Sequence, residues 1–495
     1  MDSITQRTHP FQHWLLLVVA AGILCIFVPR LWIAAAMAGL VAGAIVLYTA
    51  AEAIQGRVDW PIMAWVLIFP LGYYFLTFPK ERPVFTLDRA IVGLVFVAIA
   101  FRAGRLTTPL PQGLKQAGIA WSLFLAGALI SLRHVDNPLG RTKELLDTFA
   151  IPGVLAWYVI RNFNLRQNLS KLHVLACLMA IYVAAIGLVE LKTGQDLLPI
   201  SAGIFLVEDT GLNRPNGPFA TNNSFALVGL VTLLLVVFLR RTIGHRMTAW
   251  QRLLHCAGVF SAVTIAVTPL FRSILITLIL IVLLEFFRAS KPSSRVFAVA
   301  ALLLGISGLL WFKKLAPDMF EYRVSDPSDV YARIAQQKQT VEMFLANPVS
   351  GVGWGEYNRA AYSFSDVSYN GVYSVGAAHN TLGAILAETG ILGVVSFIAA
   401  QFLLFRFCWR LRRSGTHDAI LTSNFLVYVF LAYWITGVSL TSGYYSDINM
   451  WYLFVLAVLC KFGVTEPPNL GFGSRVQRRA VAHPNPPQSV SVALV

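Results

Sequence analysis

Charge is the first thing this chain is short of. Only 13% of its 495 residues are Asp, Glu, Lys or Arg, where a soluble protein carries about a quarter. So little charge cannot cover a soluble surface of that size. The two or three soluble domains that length alone suggests, at roughly 150 residues each, are therefore excluded. Cysteine is also scarce: Cys25, Cys177, Cys256, Cys408 and Cys460 all fall within apolar runs or at their ends. Their spacings fit neither a zinc pattern nor a CxxC pair, which argues against disulfides and against a metal centre. Short segments of alternating polar and apolar residues are missing too, which removes a transmembrane β-barrel. The first apolar run, near Trp14, lacks a convincing small-residue cleavage site and is expected to be a span, not a signal peptide.

Long apolar runs are what the chain has in abundance, and its mean hydropathy is +0.65. Residues 219–239, 270–287 and 296–312 are near-continuous apolar stretches, each long enough to cross a hydrocarbon layer about 30 Å thick as a helix. In lipid the backbone must satisfy its own hydrogen bonds, so the helix is the expected state. Further runs place spans at 13–28, 30–50, 60–78, 88–101, 116–132, 144–160, 170–191, 252–268, 380–405, 420–440 and 449–462. The expected fold is all-α: a polytopic transmembrane bundle of about 12–14 spans. One long extramembrane loop, 313–379, interrupts it.

The net charge of +15 does not point to nucleic acid, because the basic residues form short clusters between apolar runs. Arg240, Arg241, Arg246 and Arg252 make one cluster, Arg288, Lys291 and Arg295 a second, and Arg406, Arg410, Arg412 and Arg413 a third. Basic short loops mark the cytoplasmic side. Both termini are then expected inside, with the Pro-rich end from 466 to 495 a disordered cytoplasmic tail. The outer face receives the segments 192–218, 268–272, 313–379 and 441–448. Of nine histidines, only His134 and His379 reach it.

A connection of about 65 residues between spans exceeds what joining them requires. Within it, Pro327-Ser328-Asp329 starts an amphipathic helix with Val330, Ile334, Val341 and Phe344/Leu345 apolar, and Asn347-Pro348 ends it. Arg333, Gln337 and Thr340 share the polar face, which is expected to be exposed. Gly351-Val352-Gly353-Trp354-Gly355 follows, either a tight turn, the commoner use of such a run, or a phosphate-binding nest. Tyr357, Tyr362, Phe364, Tyr369 and Tyr373 come next, and His379-Asn380 closes the loop at the next span.

The run RIAQQKQTVEMFLANPVSGVGWGEY followed by AHNTLGAILAETGILG resembles the O-antigen ligase and polymerase family of bacterial envelope glycan assembly. Upstream, RPNGPFATNNSFA (Arg214 to Ala226) is similar to a segment of the same family, with Asn222-Asn223 where proline-asparagine is usual. The PLFRS turn, Pro269 to Ser273, keeps that family's arginine but not its flanking serine and glycine. The resemblance covers roughly residues 210–400. It divides the chain into N-terminal helices (1–200), a ligase/polymerase-like core (201–465) and the tail. It implies transfer of a glycan from an undecaprenyl-pyrophosphate carrier to an acceptor hydroxyl, on a glycan or on lipid A core, at the periplasmic face of the inner membrane.

The residues fit that chemistry. A pyrophosphate leaving group calls for preorganised cations, and the planar fork of arginine suits phosphate oxygens. Arg272 lies between Pro269-Leu270-Phe271 and Ile274-Leu275-Ile276, where a charge is costly unless used or placed near the helix end. Arg333 and Arg214 are the other candidate phosphate contacts. His379, with an ordinary imidazole pKa near 6.5, is the candidate general base; His134 remains a loop residue. Asn380 and Glu388 are supporting residues. Nine residues separate His379 from Glu388, about 13 Å along a helix and on opposite faces, so Glu388 is expected to pair with another helix and support the site structurally. No cofactor or metal is expected. The bilayer and other envelope polysaccharide assembly proteins are candidate partners, and nucleic acid is not. The rival class is a polysaccharide transporter or flippase, but no halves related by repeat are visible.

Overall fold

The computed structural model describes residues 58–72, 86–101, 110–195, 214–219, 221–288, 328–373 and 378–464, with a few isolated positions besides. The expected spans at 13–28, 30–50 and 296–312, and the tail 466–495, lie outside or almost outside the described residues. The chain is an all-α helical membrane bundle. Its helices are α1 (Asp59–Gly72), α2 (Leu87–Phe101), α3 (Gln112–Ser131), α4 (Pro138–Leu145), α5 (Ile151–Asn162), α6 (Leu165–Thr193) and α7 (Asn222–Ile243). There follow α8 (Ala249–Val267), α9 (Arg272–Arg288), α10 (Ser328–Ala346), α11 (Tyr357–Ala361), α12 (Thr381–Arg413), α13 (His417–Ser439) and α14 (Ser446–Val464). A single π turn, Leu146–Ala150, joins α4 to α5.

By length and composition, six described helices can cross a membrane: α3, α6, α7, α12, α13 and α14. The shorter α1 is equally apolar, and α2, α5, α8 and α9 occupy four more of the expected positions without reaching the same length and hydropathy. The most enclosed is α14, whose side chains from Asp447 to Phe462 are all buried. Trp451 and Phe454 of α14 pack with Trp65 and Phe69 of α1 in an aromatic core, Trp451 flat on Phe69 and Phe454 edge-on to Trp65. A second aromatic group, Trp121, Phe124, Phe149 and Phe397, ties α3 and the π turn to α12. At Gly127 of α3 a Cβ would come within 3.2–3.3 Å of the Leu392–Gly393 backbone of α12. Two helices approach that closely only through small residues.

Polar contacts fix which helix ends lie together. Arg241, near the end of α7, pairs with Glu285, near the end of α9 (2.5 Å). The Tyr428 hydroxyl, midway along α13, donates to Glu285 (2.5 Å) and accepts from Arg288 (2.7 Å). Phe238 of α7 packs on Phe425 of α13. Thus α7 and α9 run parallel, both antiparallel to α13, and the short Ser414–Thr416 link brings the end of α12 to the same level. The basic clusters around Arg240, Arg288 and Arg410–Arg413 therefore gather at one end of the bundle, as alternate loops should. All the segments expected on the outer face that are described lie at the opposite end, the rim.

Candidate active site

The rim is organised by a break in α12. Gly390 sits in the helix at φ +61° and ψ −159°, a conformation essentially restricted to glycine that costs an L side chain about 1–3 kcal/mol. The break leaves backbone groups without helical partners, and the glycine turn of the long loop supplies them. Val352 N–H donates to Ala387 O (2.8 Å), Gly353 N–H to Glu388 O (3.0 Å), and Ile391 N–H to Pro348 O (2.9 Å). Gly351 and Gly353 both have positive φ. A Cβ on Gly351 would lie 2.3 Å from the Glu388 carbonyl carbon, and one on Gly390 2.4 Å from Val349 O. The run is a turn that docks onto the break. Its amides are spent on protein acceptors and do not form a phosphate nest, since Gly351 N–H goes to Asn347 O and Trp354 N–H to Ser131 Oγ.

Glu388, buried beside the break, braces this junction. Its Oε1 accepts from the Tyr357 backbone N–H (3.0 Å) and its Oε2 from the Tyr444 hydroxyl (2.7 Å), with the Gly355 amide also aimed at it. Tyr357 belongs to the loop and Tyr444 to the turn between α13 and α14, so one carboxylate ties three segments together. Burial and the neighbouring carboxylate push the Tyr444 phenol well above its ordinary range, which keeps it a donor. Trp354 stacks flat on Tyr444 (4.7 Å, 10°) and meets Phe149 edge-on. Outside this core, Arg141 reaches Glu356 (3.1 Å) and Arg359 pairs with Asp136. The sequence reading found neither Tyr444 nor Trp354. The signal available was two aromatics in stretches too short to move, one in a glycine turn and one in a tight hairpin.

Asn380 is the N-cap of α12, its side-chain oxygen accepting from Leu382 N–H (3.0 Å) and Gly383 N–H (3.2 Å). Thr381 donates to Leu440 O and accepts from Gly443 N–H, which locks the helix start to the α13–α14 turn. His379 stands one residue before this cap, exposed. A fixed helix start therefore holds the imidazole at the rim.

The helix α10 departs from the expected orientation. Its polar and small residues Ala335, Gln336, Gln339 and Thr340 are buried together with Met343, while Val330, Val341 and Leu345 are exposed, Leu345 by 67%. Periodicity distinguishes two faces of a helix but does not say which one packs. Here the loop offers polar partners: Gln339 donates to Ala361 O and Phe364 O, and Thr340 shares a 2.8 Å hydrogen bond with the Tyr357 hydroxyl. Thr340 also abuts Gly383 of α12. Arg333, expected on an exposed face, is half-buried. It lies two turns from Thr340 on the same side, about 10 Å along the helix.

Arg214 precedes a loop clamped by Glu190 at the end of α6, which accepts from Asn216 N–H (3.1 Å) and Gly217 N–H (2.7 Å). Its guanidinium lies over the ring of Phe271, 5.8 Å from the centroid. Arg272 follows Phe271 and is exposed at the first position of α9. The turn before it holds Leu270 at φ +57°, a genuine outlier for a bulky residue. Arg214 thus packs on the residue that precedes Arg272. Arg272 is sixteen residues before Arg288 in α9, about 24 Å toward the rim, level with the α13–α14 turn that carries Tyr444.

The loop tyrosines sort by exposure. Tyr357 is buried, and burial raises its phenol pKa. Tyr369 packs on Tyr331 and under the Lys338 ammonium (4.8 Å). Tyr362 and Tyr373 are 70% and 63% exposed. Tyr369 and Tyr373 lie on a two-stranded hairpin, β1 (Ser368–Tyr369) and β2 (Val372–Tyr373). Its turn, Asn370-Gly371, has positive φ at both residues, the geometry favoured by asparagine-glycine.

Fold and rim together define a multi-pass helical membrane protein with arginines, a histidine and exposed tyrosines collected at one end of its bundle. Residues 216–398 match the O-antigen ligase family model. The matched stretch begins two residues after Arg214 and contains Arg272, Arg333, His379, Asn380 and Glu388. No curated protein matches the chain.

Proposed function

We propose that the protein transfers a glycan from an undecaprenyl-pyrophosphate carrier to an acceptor hydroxyl at the periplasmic face of the bacterial inner membrane, as an O-antigen ligase or polymerase. The observation that supports this most is the coincidence of the ligase-family match with a rim where Arg214 packs on Phe271, next to Arg272, and His379 stands beside a capped helix start. In the reaction the acceptor oxygen attacks the anomeric carbon, the bond from that carbon to the phosphate oxygen breaks, and the pyrophosphate leaves with the electron pair. His379 takes the hydroxyl proton. Arg272, Arg333 and Arg214 offset the charge that grows on the leaving group, and Tyr362 and Tyr373 offer rings to sugars.

Purified protein in detergent, given a lipid-pyrophosphate glycan and an acceptor, tests this directly. Loss of donor with a new glycosidic bond is the expected result. No turnover in detergent, with glycolipid crossing only in vesicles, would instead identify a transporter. Offering core lipid in one reaction and a second carrier-linked glycan in another separates ligase from polymerase. Transfer is expected to survive EDTA, and strict dependence on an added divalent ion would overturn the metal-independent mechanism.

A further inference from the structure

Away from the rim, toward the basic end, α6 and α8 bring together three side chains that the proposed transfer does not use. His173 and Cys177 are four residues apart on one face of α6, and His255 faces them from α8. His173 Nε2 lies 3.2 Å from His255 Nδ1 and 3.7 Å from Cys177 Sγ, and all three ligand atoms fall within 4.8 Å of one another. The helices meet tightly here, since a Cβ on Gly258 would stand 2.7 Å from Cys177 Sγ. The loop-based search of the sequence missed the group because its members come from two spans 82 residues apart.

We propose that His173, Cys177 and His255 form a buried site for one soft monovalent metal ion, of the Cu(I) class. Metal–ligand bonds of about 2.0–2.3 Å imply edges between ligand atoms of roughly 3.3–3.8 Å, close to the two distances seen. A thiolate is a donor that Cu(I) and zinc select, and imidazole suits copper and zinc alike. Charge decides the valence. On binding, the Cys177 thiol releases its proton to solvent as the sulfur–metal bond forms, while the imidazoles contribute neutral lone pairs. Thiolate plus a monovalent ion is neutral, whereas a divalent ion leaves a net positive charge in an apolar span. Arg240, whose charge acts on both imidazoles, adds to the penalty against a divalent ion. His173 Nδ1 has no hydrogen-bond partner, so the triad itself orients the ring.

The test is a titration of the reduced full-length protein in detergent against a chromophoric Cu(I) chelator, with X-ray absorption on the loaded sample. One Cu(I) per chain is expected, in a mixed sulfur and nitrogen shell. Cys177→Ser and His255→Gln should each weaken binding ~100-fold or more, and Cys256→Ser, at an exposed cysteine, should leave it unchanged. His255 is only half-buried, so its variant keeps the test valid where Cys177→Ser disturbs packing. Three results would overturn the site: no stoichiometric Cu(I), equal binding by His255→Gln, or Zn(II) held in preference. The last two would leave, respectively, adventitious metal and a divalent site. None of these residues belongs to the rim, so the readout is independent of glycan transfer.

Discussion

Glu388 carries two hydrogen bonds at the junction of three segments, and removing it leaves the buried Tyr357 amide and Tyr444 hydroxyl without their acceptor. An orphaned buried donor costs about 1–3 kcal/mol. Glu388→Ala should therefore lower thermal stability in detergent markedly, and Glu388→Gln, which keeps an acceptor, should lower it less; equal melting of both variants and wild type would contradict the brace. At the rim, the guanidinium fork matters if phosphate is held bidentately. Arg272→Lys and Arg333→Lys are each expected to cut kcat/KM ~10-fold or more, about 1.4 kcal/mol, without change in expression. Full activity in both would remove the arginines from phosphate binding. With His379 as base, the rate should fall on the acid side as the imidazole protonates. Tyr444, whose phenol is held well above its ordinary range, adds no second inflection at neutral pH. An acid limb that persists in a His379 variant with residual activity would assign that limb elsewhere.

Among the elements, α12 does most to shape the rim. It is 33 residues long, about 50 Å if straight, and its break at Gly390 divides a short outer segment from a stretch long enough to span. Gly390→Ala adds a Cβ 2.4 Å from Val349 O at a backbone position essentially restricted to glycine. It should destabilise the protein by about 1–3 kcal/mol or more and reduce activity with it, read as a lower melting temperature and lower transfer rate; an unaffected melt would mean the turn does not depend on the break. Much of the spanning architecture was legible because apolar runs in lipid have one backbone solution. The existence and limits of α10 were equally visible, with Ser328 at its start and Asn347-Pro348 after its end. Its orientation was not, because Gln339 and Thr340 are buried by hydrogen-bonding partners that only the folded loop provides. The glycine run had two readings in the sequence, and the position of Gly390 in the next helix decides between them.

At the scale of the whole molecule, the basic helix ends lie opposite the rim, and the candidate residues in and beside the matched stretch share that rim. Arg214 depends on Glu190 of α6 for the clamp on its loop, and Trp354 on Ser131 of α3, so helices outside the family match position residues in it and beside it. The most direct test of the account is transfer by purified His379→Ala beside wild type, with a defined lipid-pyrophosphate glycan and acceptor in detergent. The account predicts transfer by wild type and a loss of ~10²–10⁴-fold in the variant, with an unchanged melting temperature. Normal turnover by His379→Ala would contradict the proposed base, and no transfer by well-folded wild type with either acceptor would contradict the proposed reaction.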